Sequence, residues 1–134
     1  MRKVVLFTAG FLVIASTSLA EKIPMWRFLY ESKDASFHME DGSFRFFENG
    51  WSFKIKTIYK NETIYTTTTR FCMESENGLW VRETNGYGCK DGSCTDMKDT
   101  DWIELDRTRI GYITCVKALP FCKKDQSYSF CRNK

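Results

Sequence analysis

Histidine occurs only once in this 134-residue chain, at His38. A serine hydrolase triad therefore has at most one candidate base, and no G-x-S-x-G elbow accompanies it. The chain also contains neither a P-loop nor a dinucleotide-binding glycine pattern. These absences argue against a serine hydrolase and a nucleotide-dependent enzyme, and we expect no cofactor.

Long apolar runs are missing after the first 20 residues. Those residues begin with a basic pair, continue with an apolar run and end in small side chains, which is typical of a cleaved signal peptide. The sequence therefore predicts a signal peptide over residues 1–20 and a secreted domain over residues 21–134. We expect an extracellular protein that does not insert into a membrane once the signal peptide is removed.

Net charge is small in the expected mature chain. Loss of Arg2 and Lys3 lowers the basic residues from 20 to 18, against 17 acidic ones. No general attraction to nucleic acid or to a membrane is expected. Locally the charge is uneven, because residues 74–106 hold nine acidic and three basic residues, whereas residues 107–134 hold seven basic and one acidic. Either the two parts face each other and cancel, or they steer a charged protein partner or a sulfated glycan.

Cysteine is absent from residues 21–71, so packing must hold the N-terminal half of the expected domain. An even number of cysteines in a secreted chain predicts three disulfides, with fifteen pairings left open. Zinc is disfavoured because no C-x-x-C pair occurs. The spacings also differ from EGF, Kunitz and knottin-like frameworks, so they indicate no family. The cysteines expected to pair are Cys72, Cys89, Cys94, Cys115, Cys122 and Cys131.

Helical periodicity is missing as well. Short runs rich in aromatic and β-branched residues alternate with Asn-Gly and Asp-Gly turn signals. We therefore predict a mainly β, single small domain, an antiparallel meander of about seven or eight short strands that closes into a barrel or forms a sandwich. The strand candidates are 25–30, 35–40, 43–48, 51–60, 63–73, 78–84, 101–106 and 109–117, with irregular segments at 85–100 and 118–134.

The hairpin over residues 51–73 carries the clearest pattern. Trp51, Phe53 and Ile55 alternate with serine and lysines, which predicts one face in the core and one in water. The turn that follows holds Asn61 in an Asn-Glu-Thr acceptor sequence. We predict N-glycosylation at Asn61, on an exposed turn.

The segment 85–100 is the predicted location of a binding surface, because long ordered loops often carry function. Tyr87 within it, and Lys123 and Lys124 in the basic C-terminal part, are the candidate partner-binding residues. Calcium is a weaker alternative, since the aspartates lack EF-hand spacing and a solvated acidic loop is favoured. The aspartates in question are Asp91, Asp96, Asp99 and Asp101.

Three functions fit these patterns. The favoured one is a non-enzymatic, cysteine-rich ligand, inhibitor or effector that binds an extracellular protein such as a receptor or an enzyme. The first alternative is a small secreted hydrolase such as a ribonuclease, in which His38 and Glu40 transfer protons beside Arg45. The second is a lipocalin-like carrier of a small apolar ligand inside an aromatic-lined barrel.

Overall fold

The computed structural model of the chain describes residues 25–124, with side chains through Phe121. The predicted signal peptide, Cys131 and the side chain of Cys122 lie outside the described residues. The described part contains eight strands followed by one helix. These are β1 (Trp26–Glu31), β2 (Ala35–Glu40), β3 (Arg45–Phe47), β4 (Gly50–Tyr59), β5 (Ile64–Glu74), β6 (Leu79–Lys90), β7 (Ser93–Met97), β8 (Ile103–Leu105) and α1 (Ile110–Lys124).

The strands form one antiparallel sheet in the order β1-β2-β4-β5-β6-β7. β3 pairs with β4 beside β2, and β8 pairs with β6 beside β7. Within the described residues no pairing joins β1 to β7, so the sheet is open. The predicted mainly β domain is confirmed, but the structure does not support closure into a barrel.

The core lies on one face of this sheet. Trp51, Phe53 and Ile55 of β4 are at most 3% exposed, which confirms the predicted alternation. Neighbouring β2 adds Phe37 and Met39 to the same face, opposite Thr57 and Ile55 of β4. Because side chains alternate along a strand, the lysines of β4 lie on the opposite, outer face.

Helix α1 covers part of the core face and replaces the strand predicted at 109–117. Its isoleucine, threonine and valine residues favour a strand locally, but Thr114, Cys115 and Ala118 are fully buried at helical spacing. Cys115 forms a disulfide with Cys72 of β5, and its carbonyl accepts a 3.0 Å hydrogen bond from the indole of Trp51. These tertiary contacts outweigh the local preference.

The segment 85–100 is also more regular than predicted. β6 and β7 form a hairpin through it, and Asp91 and Gly92 turn at positive φ. Asn85, expected in a turn, has φ 52° inside β6 and makes a bulge where the pairing with β5 shifts. Asparagine tolerates positive φ, and here that conformation bends a strand instead of reversing the chain.

Two disulfides stabilise the C-terminal half, as predicted. Cys72–Cys115 joins β5 to α1, and Cys89–Cys94 crosses the β6–β7 hairpin. The predicted third bridge falls on Cys122 and Cys131, which lie outside what the structure describes. Within residues 25–124, no helix combines the length and the apolar character needed to cross a bilayer.

Candidate binding surface

Every residue from Lys90 to Glu104 is exposed. This segment comprises the end of the β6–β7 hairpin, β7 itself, and the chain that leads into β8. β7 is the last strand in the sheet order, so one side of its backbone faces away from the sheet. We call residues 93–104 the acidic edge.

The acidic edge is ordered although it is exposed. Cys94 is bonded to Cys89, and β7 pairs with β6 from Gly86 to Lys90. Farther along, the backbone N–H of Thr100 donates to the carbonyl of Glu83 at 2.8 Å, and the hydroxyl of Thr100 accepts from the Glu83 N–H at 2.9 Å. The segment is therefore held against β6 along its length.

The acidic edge combines acidic and apolar side chains. Met97, Trp102 and Ile103 are 40%, 37% and 54% exposed. Exposed apolar side chains on an ordered surface, with an aromatic among them, are often found at protein interfaces. The acids interspersed with them are Asp96, Asp99, Asp101 and Glu104.

These acids are largely available to a partner. The Asp99 carboxylate accepts a 3.0 Å hydrogen bond from the backbone N–H of Asn85 and so supports the bulge. Within the described side chains, no ion pair shorter than 4.0 Å joins an acid of residues 74–106 to a base of residues 107–121. In the described residues, the acidic segment 74–106 and the basic segment 107–121 therefore do not neutralise each other through ion pairs within 4.0 Å.

The structure separates the predicted partner-binding residues. Tyr87 lies in β6, 39% exposed, directly opposite Asp96 of β7 and thus beside the acidic edge. Lys123 and Lys124 belong to the last turn of α1, and their side chains lie outside the described residues. That end of α1 is near β1, where the Arg27 guanidinium lies 5.5 Å from the ring centre of Phe121. Tyr87 and the two lysines therefore lie towards opposite ends of the sheet order.

Asn61 is exposed at φ 62° in the turn between β4 and β5, so the predicted exposure of this turn is confirmed. The neighbouring Thr63 hydroxyl donates to the carboxylate of Asp91 in the β6–β7 turn. The two turns therefore lie at the same end of the sheet. Glycosylation itself stays a prediction.

The aspartates considered as calcium ligands do not form a common binding site in the described residues. Among residues 25–124, no group of three or more histidine, cysteine, aspartate or glutamate side chains could hold a metal ion. Asp91 is engaged by Thr63 and Asp99 by the Asn85 backbone, on different parts of the hairpin. The described residues thus offer no calcium site here.

His38 lies on the outer face of β2. Its Nε2 is 3.1 Å from the Ser36 hydroxyl, and the ring packs edge-on against Phe28 with 5.8 Å between ring centres. Burial, and secondarily the positive charge of Lys56 on β4, lower the pKa of His38 below 6.5. The imidazole therefore takes up a proton at a lower pH than a free histidine does.

The other proposed hydrolase residues are engaged elsewhere. Glu40 lies 3.7 Å from the ammonium of Lys54, and Arg45 donates to the carbonyls of Gly42 and Phe44. The hydrolase hypothesis stays a prediction without a specific supporting contact. The carrier hypothesis required a barrel interior, which the open sheet does not supply.

Arg70 is a buried charge that the sequence pattern did not predict. It is 8% exposed on the core face of β5, where its guanidinium donates to Glu83 at 2.6 and 3.0 Å and to the hydroxyl of Thr114. An arginine at a core-facing position of an alternating strand was the available signal. Because buried charges require partners, this group fixes α1 against β5 and β6.

No protein-family model, no curated protein and no solved structure matches this chain.

Proposed function

We propose that the protein is a secreted, non-enzymatic binding protein, and that its acidic edge engages an extracellular protein with a basic and partly apolar surface. The observation that carries this proposal is the unbroken exposure of residues 90–104 on an ordered part of the sheet. Exposed apolar groups at Met97, Trp102 and Ile103 offer surface that a partner can cover.

The order of this segment favours binding. The Cys89–Cys94 disulfide and the hydrogen bonds between Thr100 and Glu83 restrict its motion before a partner arrives. A preorganised surface loses less conformational entropy on association. Covering Trp102 and Ile103 could contribute roughly 2 kcal/mol each, on the scale of a buried apolar side chain.

The acidic residues define the kind of partner. Four carboxylates and one lysine lie among residues 96–104, so the local field attracts positive charge. Complementary charge raises the association rate and orients the encounter, and salt screens it. A basic extracellular protein is therefore the expected partner class.

The test is affinity capture from extracellular fluid and from cell surfaces with the purified mature protein. Truncating Trp102 to alanine should weaken binding of the captured partner about 30-fold, the effect of a typical interface hot spot. The matched control is Phe28→Ala, which removes an exposed aromatic on β1 at the other end of the sheet order and should retain binding.

Two further readouts decide the proposal. Binding should weaken as salt concentration rises, and circular dichroism should show that both variants are folded. Equal loss in Trp102→Ala and Phe28→Ala, or the absence of any partner retained by the wild type, would contradict the proposed surface.

A further inference from the structure

A pocket of about 430 Å³ lies between the β5–β6 turn and helix α1. Its apolar wall includes Trp51 of β4 and the helix residues Tyr112, Val116 and Leu119, which recur at three- and four-residue intervals. Pockets of this volume suit small organic molecules. These side chains can pack against the aromatic or aliphatic part of a ligand, whereas most of the exposed lining of the pocket is polar.

Hydrogen bonds, a disulfide and tight backbone packing hold the walls of the pocket in place. The Trp51 indole donates to the carbonyl of Cys115, and Cys115 is bonded to Cys72. On the opposite side, the N–H of Ser75 donates to the carbonyl of Gly78 at 3.1 Å and closes the turn. A side chain at Gly78 would collide with the carbonyl oxygen of Leu105, so the turn packs tightly on β8. The pocket is preformed.

The rim of the pocket carries charge. Glu74 and Glu76 are exposed and line it, together with one basic residue, Arg107. Within the described side chains none of the three has an ion-pair partner within 4.0 Å. Two carboxylates against one guanidinium give the rim a net negative charge.

We propose that this pocket binds a small aromatic amine that is protonated at neutral pH. A carboxylate of Glu74 or Glu76 accepts charge-assisted hydrogen bonds from the ammonium, while the ring of the ligand packs on Tyr112 and Leu119. An ammonium near an aromatic ring gains a cation–π attraction as well. The site uses none of residues 93–104, so it is independent of the acidic edge.

Three probes that share one ring system test the charge preference. Titration calorimetry of the mature protein would compare tryptamine, a cation, with indole-3-propionate, an anion, and tryptophan, a zwitterion. We expect tryptamine to bind most tightly. Equal binding of the cation and the anion, or no binding of tryptamine at millimolar concentration, would overturn the proposal.

Paired variants test the residues. Glu74→Gln/Glu76→Gln, which removes both candidate carboxylates, should weaken tryptamine binding about 5-fold, the scale of one exposed ion pair. Asp34→Asn removes an exposed acid in the β1–β2 turn, outside both the pocket and the acidic edge, and should leave tryptamine binding unchanged. Arg107→Gln removes a like charge and should strengthen tryptamine binding about 2-fold. If Arg107→Gln weakened ligand binding, and if the wild type bound tryptophan more tightly than tryptamine, the ligand would be a zwitterion and not the proposed cation.

Two measurements separate this proposal from a change in folding and from the proposed function. In NMR spectra, tryptamine should shift the methyl resonances of Val116 and leave those of Ile103 unchanged. Tryptamine binding should persist in Trp102→Ala. Shifts at Ile103 alone would assign the ligand to the acidic edge and contradict the pocket.

Discussion

At the scale of single residues, the outer face of the sheet brings positive charge and aromatic rings together. The Lys56 ammonium lies 4.5 Å from the ring centre of Tyr65 and 5.4 Å from that of Trp26. Both geometries are those of cation–π contacts. The same ammonium lowers the pKa of His38, its partner across the β2–β4 pair. Lys56 therefore contacts two aromatic rings and also lies directly opposite His38, the only histidine of the chain.

Replacing Lys56 by glutamine should raise the pKa of His38. The pKa should stay below 6.5, because burial, the larger cause of its lowering, remains. An NMR pH titration of the imidazole resonances measures this directly. The control is Lys60→Gln, which removes a lysine that follows β4 and pairs with Glu31, and it should leave the titration unchanged. An unchanged or lower pKa in Lys56→Gln would contradict the assigned cause.

The lowered pKa also sets the sign of a pH effect on folding. Between the folded pKa and 6.5 the unfolded chain binds more protons at His38 than the folded one. The contribution of His38 to stability is therefore complete above pH 6.5 and declines as the pH falls toward the folded pKa. His38 is partly exposed, so solvent limits the size of this effect.

At the scale of elements, the attachment of α1 decides the architecture. The helix bears a proline at Pro120 and several β-branched residues, and so has little intrinsic stability. It is held by the buried Cys72–Cys115 disulfide, by the Trp51 hydrogen bond and by Arg70. Its place in the fold depends on long-range contacts with β4 and β5.

Removing the two described disulfides should have unequal effects. A bridge restricts the unfolded chain more when it closes a longer loop. Cys72→Ser/Cys115→Ser opens a separation of 43 residues and should lower the free energy of unfolding by about 4 kcal/mol. Cys89→Ser/Cys94→Ser opens a separation of 5 residues and should cost about 2 kcal/mol.

Guanidinium unfolding monitored by circular dichroism compares the two double variants. The second variant is the matched control, since it also removes two cysteines. If Cys89→Ser/Cys94→Ser lowered the free energy of unfolding more than Cys72→Ser/Cys115→Ser, the hairpin disulfide would contribute more to stability than the helix disulfide.

At the scale of the whole molecule, the two ends and the two faces of the sheet differ. The turns that hold Asn61 and Asp91 meet at one end, and residues 98–104 follow β7 beside β6 towards the other end. A glycan at Asn61 would cover the first end and leave the second open. Glycosylation and partner binding are then compatible on one molecule.

Secretion from a eukaryotic host should yield a product whose mass exceeds that of the mature sequence. The excess should disappear in Asn61→Gln, because the acceptor amide is lost. Thr63→Ser keeps the acceptor pattern and should therefore retain the excess mass. Intact-mass spectrometry before and after treatment with a glycosidase gives the answer. An excess that persists in Asn61→Gln would place the modification elsewhere. Partner capture should be unchanged in Asn61→Gln.

The sequence by itself determined most of the sheet. Alternation in β4 and its partners is a local, period-two signal, and the strand at 35–40 was predicted with its observed bounds. The even cysteine count predicted bridges, and the acceptor pattern at Asn61 coincided with an exposed turn. These properties depend on neighbouring residues and can be seen in the chain itself.

Only the tertiary structure decided the helix, the open edge and the pocket. Residues 109–117 favour a strand locally, but they form a helix because Cys72, Arg70 and Trp51, which lie 43, 44 and 64 positions from their partners, bind them in that conformation. The 85–100 segment carries no regular pattern in the sequence because its regularity comes from the pairing of β6 with β5 and β7 and from the hydrogen bonds between Thr100 and Glu83. The pocket joins β4, a turn and α1, and no local pattern records which residues meet across such distances.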